Sequence, residues 1–134
     1  VELKKKTILL VDDSTTNLTL VNALLSNTYT LYTAINGARM FRLLQNIRPD
    51  LILLDIEMPE MDGYEVLKRL KSDTGTADIP VVFLTAHGMD ETKPQSLPPE
   101  VVGYITKPFA AQHLLSSIEH IFADSADEGF RFAG

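Results

Sequence analysis

The chain has 134 residues, 45% of them apolar and 22% charged, and a net charge of −6 at pH 7. That composition suits one compact globular domain, and the negative balance argues against a nucleic-acid or anionic-membrane partner, both of which want a basic face. The absence of cysteine excludes disulfides and thiolate metal sites, and no apolar run approaches the ~20 residues needed to cross a bilayer.

The lysines at 4, 5 and 6 precede no long apolar stretch, so the N-terminus is not a signal peptide, and a cytoplasmic, reducing setting is expected. Thr7–Val11 reads as a buried strand that ends at Asp12-Asp13. Ser14 or Thr15 then caps a helix with Leu18, Val21, Leu24 and Leu25 on one face. Tyr29–Thr33 is aromatic and β-branched and reads as a second strand, closed by an Asn36-Gly37 turn. A second helix begins with Ala38, Phe41 and Leu44 and stops before Pro49. Leu51–Leu54 is wholly apolar, as a central strand covered on both faces should be. Tyr64–Lys71 is a third helix, Val81–Leu84 a fourth strand and Gly103–Thr106 a fifth. The last helix runs from Ala111 to Phe122, with Leu114, Ile118 and Ile121 turned inward. Strands alternating with helices predict a doubly wound α/β fold: a five-stranded parallel sheet with helices on both faces. Residues 1–122 form the domain. The polar segment 123–134 reads as a mobile tail or the start of a linker, which favours an excised piece over a stand-alone protein.

Three aspartates follow apolar strands directly: Asp12 and Asp13 after the first, Asp55 after the third. In a sheet of order 2-1-3-4-5 the first and third strands are neighbours at the switch in winding, where ligands bind in such folds. Three convergent carboxylates repel one another and raise one another's pKa, so a cation must offset them. Mg2+ suits an all-oxygen site of this kind, and Lys107, at the end of the fifth strand, supplies a second positive charge. Any one of these aspartates alone would read as a helix cap or turn residue. His87, His113 and His120 are too scattered for a metal site, and Met58 and Met61 read as loop packing.

Four segments in register carry a resemblance to a known family. Leu10-Val11-Asp12-Asp13-Ser14 resembles the acidic-pair motif of response-regulator receiver domains. Asp55-Ile56-Glu57-Met58-Pro59-Glu60-Met61-Asp62-Gly63 is similar to their phosphoacceptor loop, Leu84-Thr85-Ala86 to their switch, and Tyr104-Ile105-Thr106-Lys107-Pro108-Phe109 to their closing motif. The resemblance covers about residues 6 to 122 and implies a flavodoxin-like fold and a role in two-component signalling. It implies that Asp55 accepts a phosphoryl group from the phosphohistidine of a sensor histidine kinase or phosphotransfer protein. It implies Mg2+ held by Asp13, Asp55 and the backbone carbonyl of Glu57, with Asp12 acting largely through water. Lys107 and Thr85 would each meet a phosphoryl oxygen, and Thr85 and Tyr104 would form the conformational switch. A cis Lys107–Pro108 bond would aim the lysine inward; the alternative is a trans Pro108 that simply opens the last helix. An output domain in the same full-length chain would read the change. An aspartyl-phosphate hydrolase is the competing enzyme reading, but it expects its nucleophile and a second Asp two residues later, after the first strand, whereas here Asp12 is followed by Asp13 and Ser14. A phosphate-independent scaffold would have no need of Asp12, Asp13, Asp55, Thr85 and Lys107 together.

One departure from the family stands between Thr85 and Tyr104. Pro94, Pro98 and Pro99 each remove a helix donor, so Glu91 to Pro99 is expected to be a short turn or irregular segment rather than a regular fourth helix. The dimerisation that many relatives mount on that face then loses its support.

Overall fold

Alternate residues of each central strand in this chain belong to different apolar faces, and the fold is built on that property. The computed structural model describes residues 5–85, 98–108 and 110–133, with side chains as far as residue 123. Five strands form one parallel sheet in the order β2-β1-β3-β4-β5: β1 Thr7–Val11, β2 Thr30–Ala34, β3 Leu51–Asp55, β4 Val81–Thr85 and β5 Gly103–Thr106. The helices are α1 Thr15–Leu25, α2 Gly37–Leu43, α3 Gly63–Ser72 and α4 Ala111–Ala133.

Period-2 alternation sends Leu9, Val11, Ile52, Leu54, Val81 and Phe83 to one side of the sheet, against Met40 of α2 and Val66, Leu67 and Leu70 of α3. The intervening Ile8, Leu10, Leu51, Leu53, Val82 and Leu84 pack on the other side, against Val21 and Leu25 of α1 and Leu114 and Ile118 of α4. Every residue of β3 and β4 is buried, which is why neither strand carries an alternating polar pattern.

Local chemistry sets the helix starts. Ser14 Oγ accepts the Asn17 N–H at 3.3 Å, Asn36 Oδ1 the Arg39 N–H at 2.8 Å, and Asp62 Oδ1 the Glu65 N–H at 3.0 Å. Asn36-Gly37, expected as a turn, is therefore the cap and first residue of α2. A glycine fits closely there: a Cβ would lie 2.9 Å from Val66 Cγ2 and 3.1 Å from Met61 Sδ, and those side chains would have to shift. Helix α2 is also shorter than its pattern predicts, ending at Leu43 in a turn well before Pro49. Helix α4 runs on past Phe122 to Ala133, where the sequence predicted a tail; no proline interrupts 123–133, and Ala and Glu there favour helix.

Pro98 is irregular and Pro99 and Glu100 lie in a turn, with the Val101 N–H donating to the Pro98 carbonyl at 3.2 Å. The rest of the proline-broken stretch expected to lack a helix lies outside the described residues, as does His87. Among the described residues no helix is long and apolar enough to cross a membrane.

Candidate functional site

Strand register brings the polar groups level at the carboxyl end of the sheet. Val11 of β1 pairs with Leu54 of β3, which sets Asp12 beside Asp55. Thr85 of β4 pairs with Thr106 of β5, and Lys107 follows at once. The ladders continue past the strand ends: the Asp12 N–H donates to the Ala34 carbonyl at 3.0 Å, Ile56 to Leu84 at 3.0 Å, and Lys107 to Thr85 at 2.7 Å. The site side chains thus stand on fixed backbone at the switch point between β1 and β3.

Asp12 and Asp55 are buried, at 0% and 2% exposure, while Asp13 faces solvent. One carboxylate oxygen from each of the three lies within 4.8 Å of the others. Lys107 Nζ sits between the two buried aspartates, 3.2 Å from Asp12 Oδ2 and 3.3 Å from Asp55 Oδ1. Asp55 Oδ1 also accepts the Glu57 N–H at 3.2 Å. Asp12 Oδ1 accepts the Ser14 N–H at 2.9 Å, and its Oδ2 accepts the Asn17 side-chain amide at 3.2 Å.

This arrangement leaves an excess of negative charge. Burial and then the Asp12 charge push the Asp55 carboxyl up to about 6, against the opposing pull of Lys107 and the Glu57 N–H. Burial disfavours the Lys107 ammonium, but Asp12 and Asp55 more than offset it and hold the lysine above its ordinary range. Three carboxylates facing one ammonium, all hard oxygen donors with a short bite, can hold a small divalent cation in Asp12, Asp13 and Asp55.

Of the residues singled out by sequence, Asp12, Asp13, Asp55 and Lys107 come together. Thr85 lies buried one strand further along. The Glu57 side chain is exposed, so what it offers the site is backbone. Tyr104, on β5, is 42% exposed, outside the carboxylate cluster. The Lys107–Pro108 bond is cis, as expected. His113 and His120 lie exposed on α4.

Three residues of the site carried no individual role in the sequence reading. Gly63 donates its N–H to the Ile56 carbonyl at 2.8 Å, and a Cβ there would lie 2.8 Å from both the Asp55 carbonyl oxygen and Ile56 Cα. Its signal is the Asp62-Gly63 pair just ahead of an apolar helix. Glu60 has φ 70 and lies within a γ-turn in which the Met61 N–H donates to the Pro59 carbonyl at 2.8 Å. Nothing in the residue type announces that backbone. Asn17 is the third; a polar amide five residues after Asp12 is no signal until the helix start is known.

Residues 8–119 match the response regulator receiver domain family. The chain is 38% identical over 113 residues to a DNA-binding master transcriptional regulator, RpaA, of Synechocystis, covering 83% of this chain and 46% of that protein. It is 32% identical over 121 residues to the polar-differentiation response regulator DivK of Brucella anthropi, covering 90% of this chain and 98% of that one. The chain spans about half the length of the transcriptional regulators it matches. A crystal structure of the receiver domain of a sensor histidine kinase from Pseudomonas aeruginosa, with a magnesium ion in its active-site cleft, superposes with a TM-score of 0.76 at 26% identity, over 87% of this chain and 96% of that one.

Proposed function

The chain belongs to the response regulator receiver family of two-component systems, and from that premise we propose that it is a phosphorylation switch whose acceptor is Asp55. The observation that carries the proposal is the buried Asp55 carboxyl beside Asp12 and Asp13, with Lys107 Nζ 3.3 Å from its Oδ1.

The donor is a phosphohistidine on a sensor kinase or phosphotransfer protein. An Asp55 carboxylate oxygen forms the new O–P bond as the N–P bond breaks, and the electron pair of that bond returns to the imidazole. A carboxylate suffices because the loose transition state needs positioning and charge neutralisation more than a strong nucleophile. Mg2+ fits the hard oxygen donors: Asp13, Asp55 and the Glu57 carbonyl would hold it directly and Asp12 largely through water, and when bound it neutralises charge on the phosphoryl oxygens. Lys107, held charged by its two aspartates, shifts its ammonium from Asp55 to a phosphoryl oxygen. The Thr85 hydroxyl, at the end of the adjacent strand, donates to another.

The readout follows from packing. When Thr85 moves toward the phosphoryl group it vacates space near β5, and the exposed Tyr104 ring turns inward. That change acts on an output domain or a partner protein. The domain itself signals in the cytoplasm rather than turning over a substrate. Acetyl phosphate with Mg2+ should add one phosphoryl group to the intact mass of the wild type and none to Asp55→Asn, and excess chelator should abolish the addition. A full response from the Asn variant would sink the assignment of Asp55, and no response from the wild type with any small phosphodonor or kinase would favour a phosphate-independent scaffold.

A further inference from the structure

Asn17 occupies the third position of α1, where a helix of this kind has use for a Glu or Gln that reaches back to the cap N–H. Here the reciprocal bond is made by another residue. The Ser14 N–H goes to Asp12 Oδ1 at 2.9 Å, and the Asn17 side chain, relieved of that role, points its amide at Asp12 Oδ2 at 3.2 Å. The orientation of the amide is fixed by its partner, since an ionised carboxylate only accepts. Asp12 is wholly buried, so each bond to it replaces lost water. Among the described residues Oδ2 accepts from two donors, Asn17 and Lys107 Nζ, the latter also at 3.2 Å. Lys107 is shared with Asp55, whereas among the described residues the Asn17 amide meets Asp12 Oδ2 alone of the site aspartates.

We infer that Asn17 is a positioning residue: it holds Asp12 in the orientation that completes the cation site, independently of Lys107. The inference rests on the phosphoacceptor reading, in which Lys107 swings toward the phosphoryl group. In that state the Asn17 amide keeps Asp12 Oδ2 in place while the lysine turns from Asp55 to the phosphoryl group. Asn17 touches neither the acceptor nor the cation, and acts only through Asp12.

The test is a Mg2+ titration of the full chain, followed by backbone amide NMR shifts, on wild type, Asn17→Ala, Asp12→Asn and the double variant, with urea midpoints measured on all four. Alanine is the stronger helix former, so the single variant keeps α1. Asn17→Ala should weaken Mg2+ binding about tenfold, the scale on which partners behind a metal ligand act. In the Asp12→Asn background the same change should have no further effect, because the carboxylate it orients is gone. Equal Mg2+ dissociation constants for wild type and Asn17→Ala would overturn the inference. So would a weakening that persists undiminished in the Asp12→Asn background, which would mark a general structural effect. A wild type that binds no Mg2+ at all is a different result: it would overturn the phosphoacceptor reading itself, and the inference with it.

Discussion

Replacing Asp55 with Asn should make the metal-free domain more stable at neutral pH, even though it removes a partner of Lys107. The Asp55 carboxyl is pushed from 3.8 to about 6, by burial first and the Asp12 charge second, and that figure already includes the opposing pull of Lys107. A group whose pKa is raised on folding stabilises the fold fully only below its unfolded pKa and loses that contribution as pH rises through the folded one. Ionising Asp55 therefore costs stability between about pH 4 and pH 7. A rise from 3.8 to about 6, at about 1.4 kcal/mol per pH unit, amounts to about 3 kcal/mol. Asparagine, which has the shape of the protonated acid, escapes the cost. Urea unfolding in excess chelator, followed by circular dichroism, should place Asp55→Asn about 3 kcal/mol above wild type at pH 7.5 and only about 1 kcal/mol above it at pH 4.5. Saturating Mg2+ should narrow the gap by stabilising the wild type, since it binds the folded cluster and not the unfolded chain. A wild type at least as stable as the variant at pH 7.5 without metal, or a gap that does not change with pH, would refute the reasoning.

Other expectations can be checked on the same apparatus. Gly63→Ala should cost about 1–3 kcal/mol by urea unfolding and slow phosphorylation, because its Cβ meets backbone on both sides, 2.8 Å from the Asp55 carbonyl oxygen and from Ile56 Cα. Glu60→Gly should raise stability by about 0.5 kcal/mol, since Glu60 sits at φ 70 and glycine has no Cβ to clash there; a lower urea midpoint would count against it. Lys71→Met should lower stability by about 1–3 kcal/mol, because Lys71 Nζ donates to the carbonyls of Ala77 and Ile79, both at 2.9 Å, and ties the end of α3 to the chain leading into β4; an unchanged thermal midpoint would show those bonds to be idle.

The sheet could be read from the residues because strand burial writes itself into composition. Ile8–Val11, Leu51–Leu54 and Val81–Leu84 are apolar throughout because both their faces are covered. The acidic cluster could be read for a related reason: an aspartate directly after such a run has its backbone position set by the sheet, so Asp12, Asp55 and, through Thr106, Lys107 were placed once the strand order was. Helix ends were less legible. Asn36-Gly37 serves a turn and a helix start equally well by residue type, and the bond from the Arg39 N–H to the Asn36 side chain decides for the helix.

What stayed hidden were partnerships rather than elements. The left-handed backbone at Glu60 arises from the loop's closure onto Pro59, in a residue with no preference for it. Asn17 reads as an indifferent helix residue until Ser14 is fixed as the cap, because only then does its third position stand over Asp12. Chemistry that sits at a strand end is carried by residue identity and can be found by reading. Chemistry that depends on which donor satisfies which buried oxygen is decided by competition among near neighbours: here Asp12 takes the cap N–H that a glutamate at position 17 would otherwise accept, and that exchange is what turns a helix residue toward the site.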